Sequence, residues 1–262
     1  MTNQSHNKSA AEFTRLLQIM DRLRTECPWD KKQTNETLRT LSIEEIFELS
    51  EAIISGDDQE IKGELGDLLL HIVFYSKIGS EKGAFDMTDV LHAICEKLVY
   101  RHPHIFGDVE VQDDEEVKKN WEKLKLNEKG RTSVLEGVPK GLTGLLKAYR
   151  LQEKAAGVGF DWKQKEDVWK KVNEELHEWK DAIEGGDPVE IENELGDLLF
   201  ALVNYTRFVH LNAEDALERS NRKFINRFQY IEKCALKAGK NIGEMTLDEM
   251  EVKWQEAKKK GL

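Results

Sequence analysis

Apolar residues recur along the chain at helical spacing. Phe13, Leu16, Leu17, Met20 and Leu23 form an i, i+3, i+4, i+7 stripe within residues 11–24, and residues 142–156 carry a similar stripe. Longer periodic stretches over 34–55 and 58–80 predict two helices joined near Ser55-Gly56-Asp57-Asp58. Their counterparts over 164–184 and 188–210 are joined near Gly185-Gly186-Asp187. Asp187 before Pro188 has the form of an N-cap followed by proline at the first helical position. Further helices are predicted over 88–101 and 213–238, and Thr246 with Glu249 makes a capping box for a last helix carrying Trp254. No period-two alternation of strand type stands out.

One apolar stretch breaks its own pattern. Residues 63–76 read GELGDLLLHIVFYS, with Glu64 and Asp67 one turn apart, and a buried carboxylate is costly unless its charge is compensated. Residues 193–206, NELGDLLFALVNYT, repeat it: Glu194 and Asp197 follow Glu64 and Asp67 at an offset of 130 (194−64 and 197−67). Upstream, EEIFE at 44–48 and EELHE at 174–178 recur at the same offset. WDKKQ (29–33) resembles DWKQK (161–165), EKLVYRH (96–102) resembles RKFINRF (222–228), and NWEKLK (120–125) resembles KWQEAK (253–258). This self-similarity indicates a duplicated unit. The stretch 126–141, with Gly130, Gly137, Pro139 and Gly141, reads as a linker between an N-terminal domain over 1–125 and a C-terminal domain over 142–262. The expected fold class is all-α, two tandem duplicated helical bundles.

Glu45 and Glu48 share one helix face, as do Glu64 and Asp67, and the turn between the helices can set the pairs against each other. Four converging carboxylates repel unless cations sit among them, and hard divalent ions suit an oxygen-only site. A single acidic i, i+3 pair is ordinarily a solvated face. Ser42 with Glu45 also has the form of a capping box, but Val172 stands before Glu175, so the second copy does not preserve it. Recurrence of the whole acidic set at one offset favours a metal site in at least one copy. Lys97 with Arg101, and Lys223 with Arg227, are i, i+4 basic pairs that can neutralise phosphate oxygens or simply face solvent. Trp121 and Trp254 can stack on a nucleobase or line a core. His71 has Ala201 opposite it and reads as packing or support, and His102 faces Phe228 in the second copy.

The net charge of −11 over 262 residues opposes a nucleic-acid polymer or a membrane surface as partner, although a metal can invert the local sign for a small phosphate ligand. Cys27, Cys95 and Cys234 are scattered and form no C-x-x-C pair, which suits a reducing cytoplasm. The polar N-terminus lacks a signal-peptide core, and no run approaches the roughly 18 apolar residues a membrane span needs.

The ordered set EExxE then ExxD, as Glu44-Glu45-Ile-Phe-Glu48 with Glu64-Leu-Gly-Asp67 and Glu174-Glu175-Leu-His-Glu178 with Glu194-Leu-Gly-Asp197, resembles the MazG nucleotide pyrophosphohydrolases. CPWDKKQT (27–34), RHPHIFGD (101–108) and VGFDW (158–162) also look like segments of that family, so the resemblance covers nearly the whole chain. It implies hydrolysis of nucleoside triphosphates to monophosphate and pyrophosphate with Mg²⁺, and the oxygen-only donor set also suits Mn²⁺. It implies metal ligands at Glu175, Glu178, Glu194 and Asp197, with Glu45, Glu48, Glu64 and Asp67 in the first copy. Nucleotide contacts are implied at Lys171, Glu174, Glu190, Asn193, Lys223, Arg227 and Trp254, and Glu174 or Glu175 is the candidate for orienting the attacking water. The first copy retains Lys97, Arg101 and Trp121, but Leu41 stands where the second has Lys171, and Gly63 where it has Asn193. The C-terminal site is therefore the expected main one. Bundles this small leave apolar faces to cover, so a homodimer is expected. A di-iron carboxylate protein and a non-catalytic helical assembly protein are the rival readings.

Overall fold

The computed structural model describes residues 2–111, 113, 116, 117, 120, 121, 124 and 133–262, and among them there is no strand. The chain divides into two compact units, Met1–Val111 and Gln112–Leu262. The expected linker at 126–141 falls partly outside the described residues.

In the first unit α1 (Thr2–Glu26) is followed by a 3₁₀ turn, Asp30–Lys32, then α2 (Asn35–Ser55), α3 (Asp58–Glu81), α4 (Met87–Arg101) and the single turn α5 (Pro103–Phe106). The α1 stripe has a clear target. Met20 is buried with Leu38 of α2 and Val73, Phe74 and Ile78 of α3, and Phe13, Leu16 and Leu17 pack against that cluster. Each large apolar side chain fully buried in this way contributes about 1.5–3 kcal/mol. At the far end of α3 a Cβ on Gly79 would meet the Phe85 ring at 2.8 Å, so glycine is what lets the chain fold back there before α4.

The second unit contains α6 (Gly144–Gly157), α7 (Lys165–Gly185), α8 (Pro188–Phe208), α9 (Ala213–Lys237), a 3₁₀ turn at Ile242–Glu244 and α10 (Leu247–Lys259). Val172 of α7 is buried with Leu198 and Ala201 of α8, flanked by Leu176, Trp179 and Tyr205. α7 packs chiefly on α8, and α9 chiefly on α10. The predicted helices end within two residues of those observed, and both the Asp187-Pro188 start and the Thr246–Glu249 capping box are formed.

The turns that set the two long helices of each unit side by side repeat as closely as the acids do. Gly56 ends α2 at φ 74° and Gly186 ends α7 at φ 74°, a left-handed conformation that disfavours any side chain. The next residue caps the following helix in both cases. Asp57 Oδ1 accepts from the amides of Gln59 (2.9 Å) and Glu60 (3.2 Å), and Asp187 Oδ1 from that of Val189 (3.0 Å).

Candidate functional site

The α2–α3 hairpin brings the first acidic set together. Glu45 from α2 and Glu64 and Asp67 from α3 each offer a carboxylate oxygen, and the three oxygens lie within 4.8 Å of one another. Glu48 is exposed and outside that group, but its charge reaches both Glu45 and Glu64. Glu64 Oε2 is buried and has no hydrogen-bond partner. Burial first, and then repulsion by Glu48, Asp67, Glu45 and Glu60, pushes the Glu64 carboxyl above the usual carboxylate range. Burial, then Asp67, Glu48 and Glu44, does the same to Glu45. No cation relieves this from the position equivalent to Lys171, because Leu41 packs into the core instead.

The α7–α8 hairpin repeats the arrangement with one change. Glu175, Glu194 and Asp197 again place carboxylate oxygens within 4.8 Å of one another, and Glu175 is 7% exposed. Here Lys171 Nζ donates at 2.8 Å to Glu174 Oε1 and at 2.8 Å to Glu175 Oε1. Those two bonds hold the ammonium far above its ordinary pKa. Glu178 is exposed and outside the 4.8 Å group. Its carboxyl is raised by partial burial and by Glu175, and Lys171 opposes the shift.

The remaining expected residues are distributed differently. Glu190, in the first turn of α8, and Asn193 are exposed. Lys223 is exposed on α9, whereas Arg227 is engaged: its guanidinium carbon sits 5.4 Å from the Trp254 ring centroid, and its Nε donates to the Leu262 carbonyl at 2.7 Å. Trp254 of α10 is half-buried and also meets Phe224 at 5.3 Å. Among the described residues no hydrogen bond or ion pair joins Lys223, Arg227 or Trp254 to Glu175, Glu178, Glu194 or Asp197, so acids and basic–aromatic group form separate clusters. Of the N-terminal copy's expected residues, Lys97 is exposed and Arg101 half-buried in the first unit, whereas Trp121, 36% exposed, falls within the span of the second. A cavity of about 250 Å³ between α9 and α10, lined by Cys234, Met245, Val252 and neighbours, contains none of the expected site residues.

The expected supporting role of His71 takes a polar form whose partners, Ser42 and Tyr75, sequence reasoning missed. Ser42 Oγ lies 2.6 Å from His71 Nδ1 and 2.8 Å from the Tyr75 hydroxyl. Ser42 therefore sits inside α2 and caps nothing; the cap of α2 is Thr34, paired reciprocally with Thr37. In the second unit Val172 and Ala201 occupy the equivalent positions and are buried, so apolar contact replaces the polar triad. The signal was present: Ser42 and His71 lack counterparts together.

The chain matches the family model described as MazG nucleotide pyrophosphohydrolase domain twice, over residues 33–106 and 163–231, and the two matches begin 130 residues apart (163−33). It is 43% identical to a nucleoside triphosphate pyrophosphohydrolase/pyrophosphatase MazG of Thermotoga maritima, over 94% of this chain and 95% of that one. It is 39% identical to a nucleoside triphosphate pyrophosphohydrolase of Escherichia coli, over 95% and 97% respectively. A crystal structure of a MazG-related protein from Thermotoga maritima matches 43% of this chain and 97% of its own, at 29% identity and a TM-score of 0.39.

Proposed function

The chain belongs to the MazG nucleotide pyrophosphohydrolase family, and from that premise we propose that it hydrolyses the α–β phosphoanhydride of nucleoside and deoxynucleoside triphosphates, releasing monophosphate and pyrophosphate. The role that suits this reaction is nucleotide-pool house-cleaning or stress control. The observation that carries the reading is the convergence of Glu175, Glu194 and Asp197 beside Lys171, in a chain with this family match.

The acidic sets fit Mg²⁺, with Mn²⁺ as substitute. Every donor is a carboxylate oxygen, three such oxygens converge in each unit, and Glu64 keeps a buried oxygen without a partner, which is the donor chemistry of a hard divalent cation. Glu175, Glu178, Glu194 and Asp197 would hold the ion in the C-terminal unit, and Glu45, Glu48, Glu64 and Asp67 in the N-terminal one. A bound ion supplies Lewis-acid stabilisation of phosphate charge and a water of lowered pKa.

The protein's own groups have distinct tasks. Glu174, exposed at the rim, and Glu175, held against Lys171, orient the water that attacks the α-phosphorus. Lys171 and Lys223 are the cations for the polyphosphate, with Arg227 behind them. Glu190 and Asn193 contact the nucleotide, and Trp254 offers the base the part of its ring that Arg227 and Phe224 leave open. Lacking Lys171 and Asn193, the N-terminal unit is suited to holding metal more than to turning over nucleotide.

The test is product identity. Mg²⁺-dependent release of pyrophosphate, with ¹⁸O from solvent water appearing in the monophosphate, is the expected result. Orthophosphate release, or label in pyrophosphate, would refute attack at the α-phosphorus. No turnover on a nucleotide panel would favour the assembly-protein reading, and a coloured, iron-loaded preparation the di-iron one.

Homodimerisation is part of the same proposal. Leu91, Ile94 and Leu98 form an i, i+3, i+7 stripe on α4, and each is more than 40% exposed. Leu217 and Phe224, each more than half exposed, and Phe228, 37% exposed, lie along α9. Light scattering is expected to give twice the 30.2 kDa chain mass, and a monomeric mass would count against a partner copy. The free cysteines and the acidic charge support a cytoplasmic setting and argue against a nucleic-acid polymer as partner. Among the described residues no helix is long and apolar enough to cross a membrane.

A further inference from the structure

The two acidic sets differ at one position that decides how each exists without metal. Both bring three carboxylate oxygens within 4.8 Å. In the C-terminal unit Lys171 projects its ammonium onto Glu175, the most buried acid of the set, and at the same distance onto Glu174. In the N-terminal unit Leu41 spends the same position on the core, and Glu64 keeps a buried oxygen unpaired.

We propose that Lys171 is an exchangeable internal counter-ion of the C-terminal carboxylates. Its ammonium neutralises Glu175 while the site is empty and gives way when a divalent cation enters. The inference rests on the metal-site reading above and adds an order of filling to it. A cation entering the C-terminal set must first break two charge-assisted bonds, one of them to a buried carboxylate, where an ion pair is screened less than at the surface. Among the described residues no ion pair engages Glu45, Glu64 or Asp67, so a cation entering the N-terminal set breaks none there and relieves repulsion from the start. The N-terminal set therefore takes metal at lower concentration. The C-terminal set exchanges lysine for metal and releases an ammonium one turn from the acids, where the triphosphate has to be met. An i, i+4 spacing on α7 makes both stations reachable by rotation of one flexible side chain.

The experiment is a Mn²⁺ titration of the full chain at pH 7.5 without nucleotide, read by loss of the free-ion electron paramagnetic resonance signal. Glu64→Gln with Asp67→Asn isolates the C-terminal set, and Glu194→Gln with Asp197→Asn isolates the N-terminal set. In the first background Lys171→Met is expected to tighten Mn²⁺ binding about tenfold, and Lys171→Arg to leave it near wild type. In the second background Leu41→Lys is expected to weaken binding by a similar factor. With position 171 unchanged, the isolated N-terminal set is expected to bind more tightly than the isolated C-terminal set. An unchanged or weaker affinity in Lys171→Met overturns the proposal while leaving the metal reading intact. Absence of Mn²⁺ binding from both backgrounds overturns the two together. Circular dichroism of each variant guards against lost folding as the cause.

Discussion

Glu175→Ala is expected to lower pyrophosphate release by roughly three orders of magnitude, whereas Glu45→Ala, the same change 130 residues earlier, is expected to leave more than half of it. The asymmetry follows from what surrounds two equivalent carboxylates. Glu175 is buried, converges with Glu194 and Asp197, and is tied to Lys171, which itself contacts the water-orienting candidate Glu174. Removing it takes away the most buried metal ligand of the set and the partner that holds Lys171 while the site is empty, and residues acting as a unit lose their effect together. Glu45 stands in a set with Leu41 and Gly63 where the C-terminal unit has Lys171 and Asn193, so its loss empties a site without polyphosphate contacts at those positions. Initial rates of pyrophosphate release with saturating Mg²⁺ decide the matter, with thermal unfolding midpoints measured alongside. Full activity in Glu175→Ala would remove the C-terminal assignment. Loss of most activity in Glu45→Ala would move the chemistry to the other unit.

The duplication made much of this legible before any coordinates. Helices were readable because their apolar positions keep one helical period, as Phe13 to Leu23 do over about three turns of α1. The acidic convergence was readable because i, i+3 pairs on two helices joined by a four-residue Ser-Gly-Asp-Asp segment have few other places to go. The order within each set was not. Glu48 and Glu178 have the same spacing as their neighbours, yet remain exposed and outside the converging oxygens. Which of two acids one turn apart points inward depends on the rotation of the helix about its axis, and core residues such as Leu38 and Val172 fix that rotation. Lys171 was readable as a difference from Leu41, but its pairing with Glu174 and Glu175 is a matter of side-chain rotamer. Arg227 and Trp254, 27 residues apart, meet only because α10 folds back along α9.

The largest stability effect is expected at a residue outside both acidic sets. Arg24, near the end of α1, is 9% exposed at its side chain and makes a fork to Glu81 at the end of α3: Nε to Oε1 at 2.9 Å and Nη2 to Oε2 at 2.6 Å. Its Nη1 donates to the carbonyls of Asp30 and, at 3.2 Å, Gln33, and its guanidinium carbon lies 5.4 Å from the Phe74 ring centroid. One side chain thus ties α1 to α3 and holds the 3₁₀ turn that leads into the Thr34 cap of α2, the helix carrying Glu45. Arg24→Met keeps an apolar stem over Phe74 but leaves a carboxylate and two carbonyls without their donor. Breaking a largely buried pair costs about 3–5 kcal/mol, and the partial exposure of Glu81 sets the expectation at about 3. For a unit of this size that lowers the unfolding midpoint by about 10 °C. The pH dependence has a definite sign. The hydrogen bond from Arg24, aided by the charges of Arg24 and Lys77 and opposed by burial, holds the Glu81 carboxyl below its usual range. A carboxyl depressed in the folded state stabilises fully above its unfolded pKa, about 4.3, and this contribution is lost as pH falls through the folded value. The gap between wild type and Arg24→Met should therefore be constant from pH 6 to about 8 and narrow below about pH 4 as Glu81 becomes protonated, without closing, because the bonds to the Asp30 and Gln33 carbonyls do not titrate. Glu81→Gln should reproduce part of the neutral-pH loss and show no such narrowing against Arg24→Met. Calorimetric scans at pH 3.5 and pH 7 test both: a Met variant unfolding with wild type at pH 7, or a gap undiminished at pH 3.5, would show that this contact does not hold the first unit together.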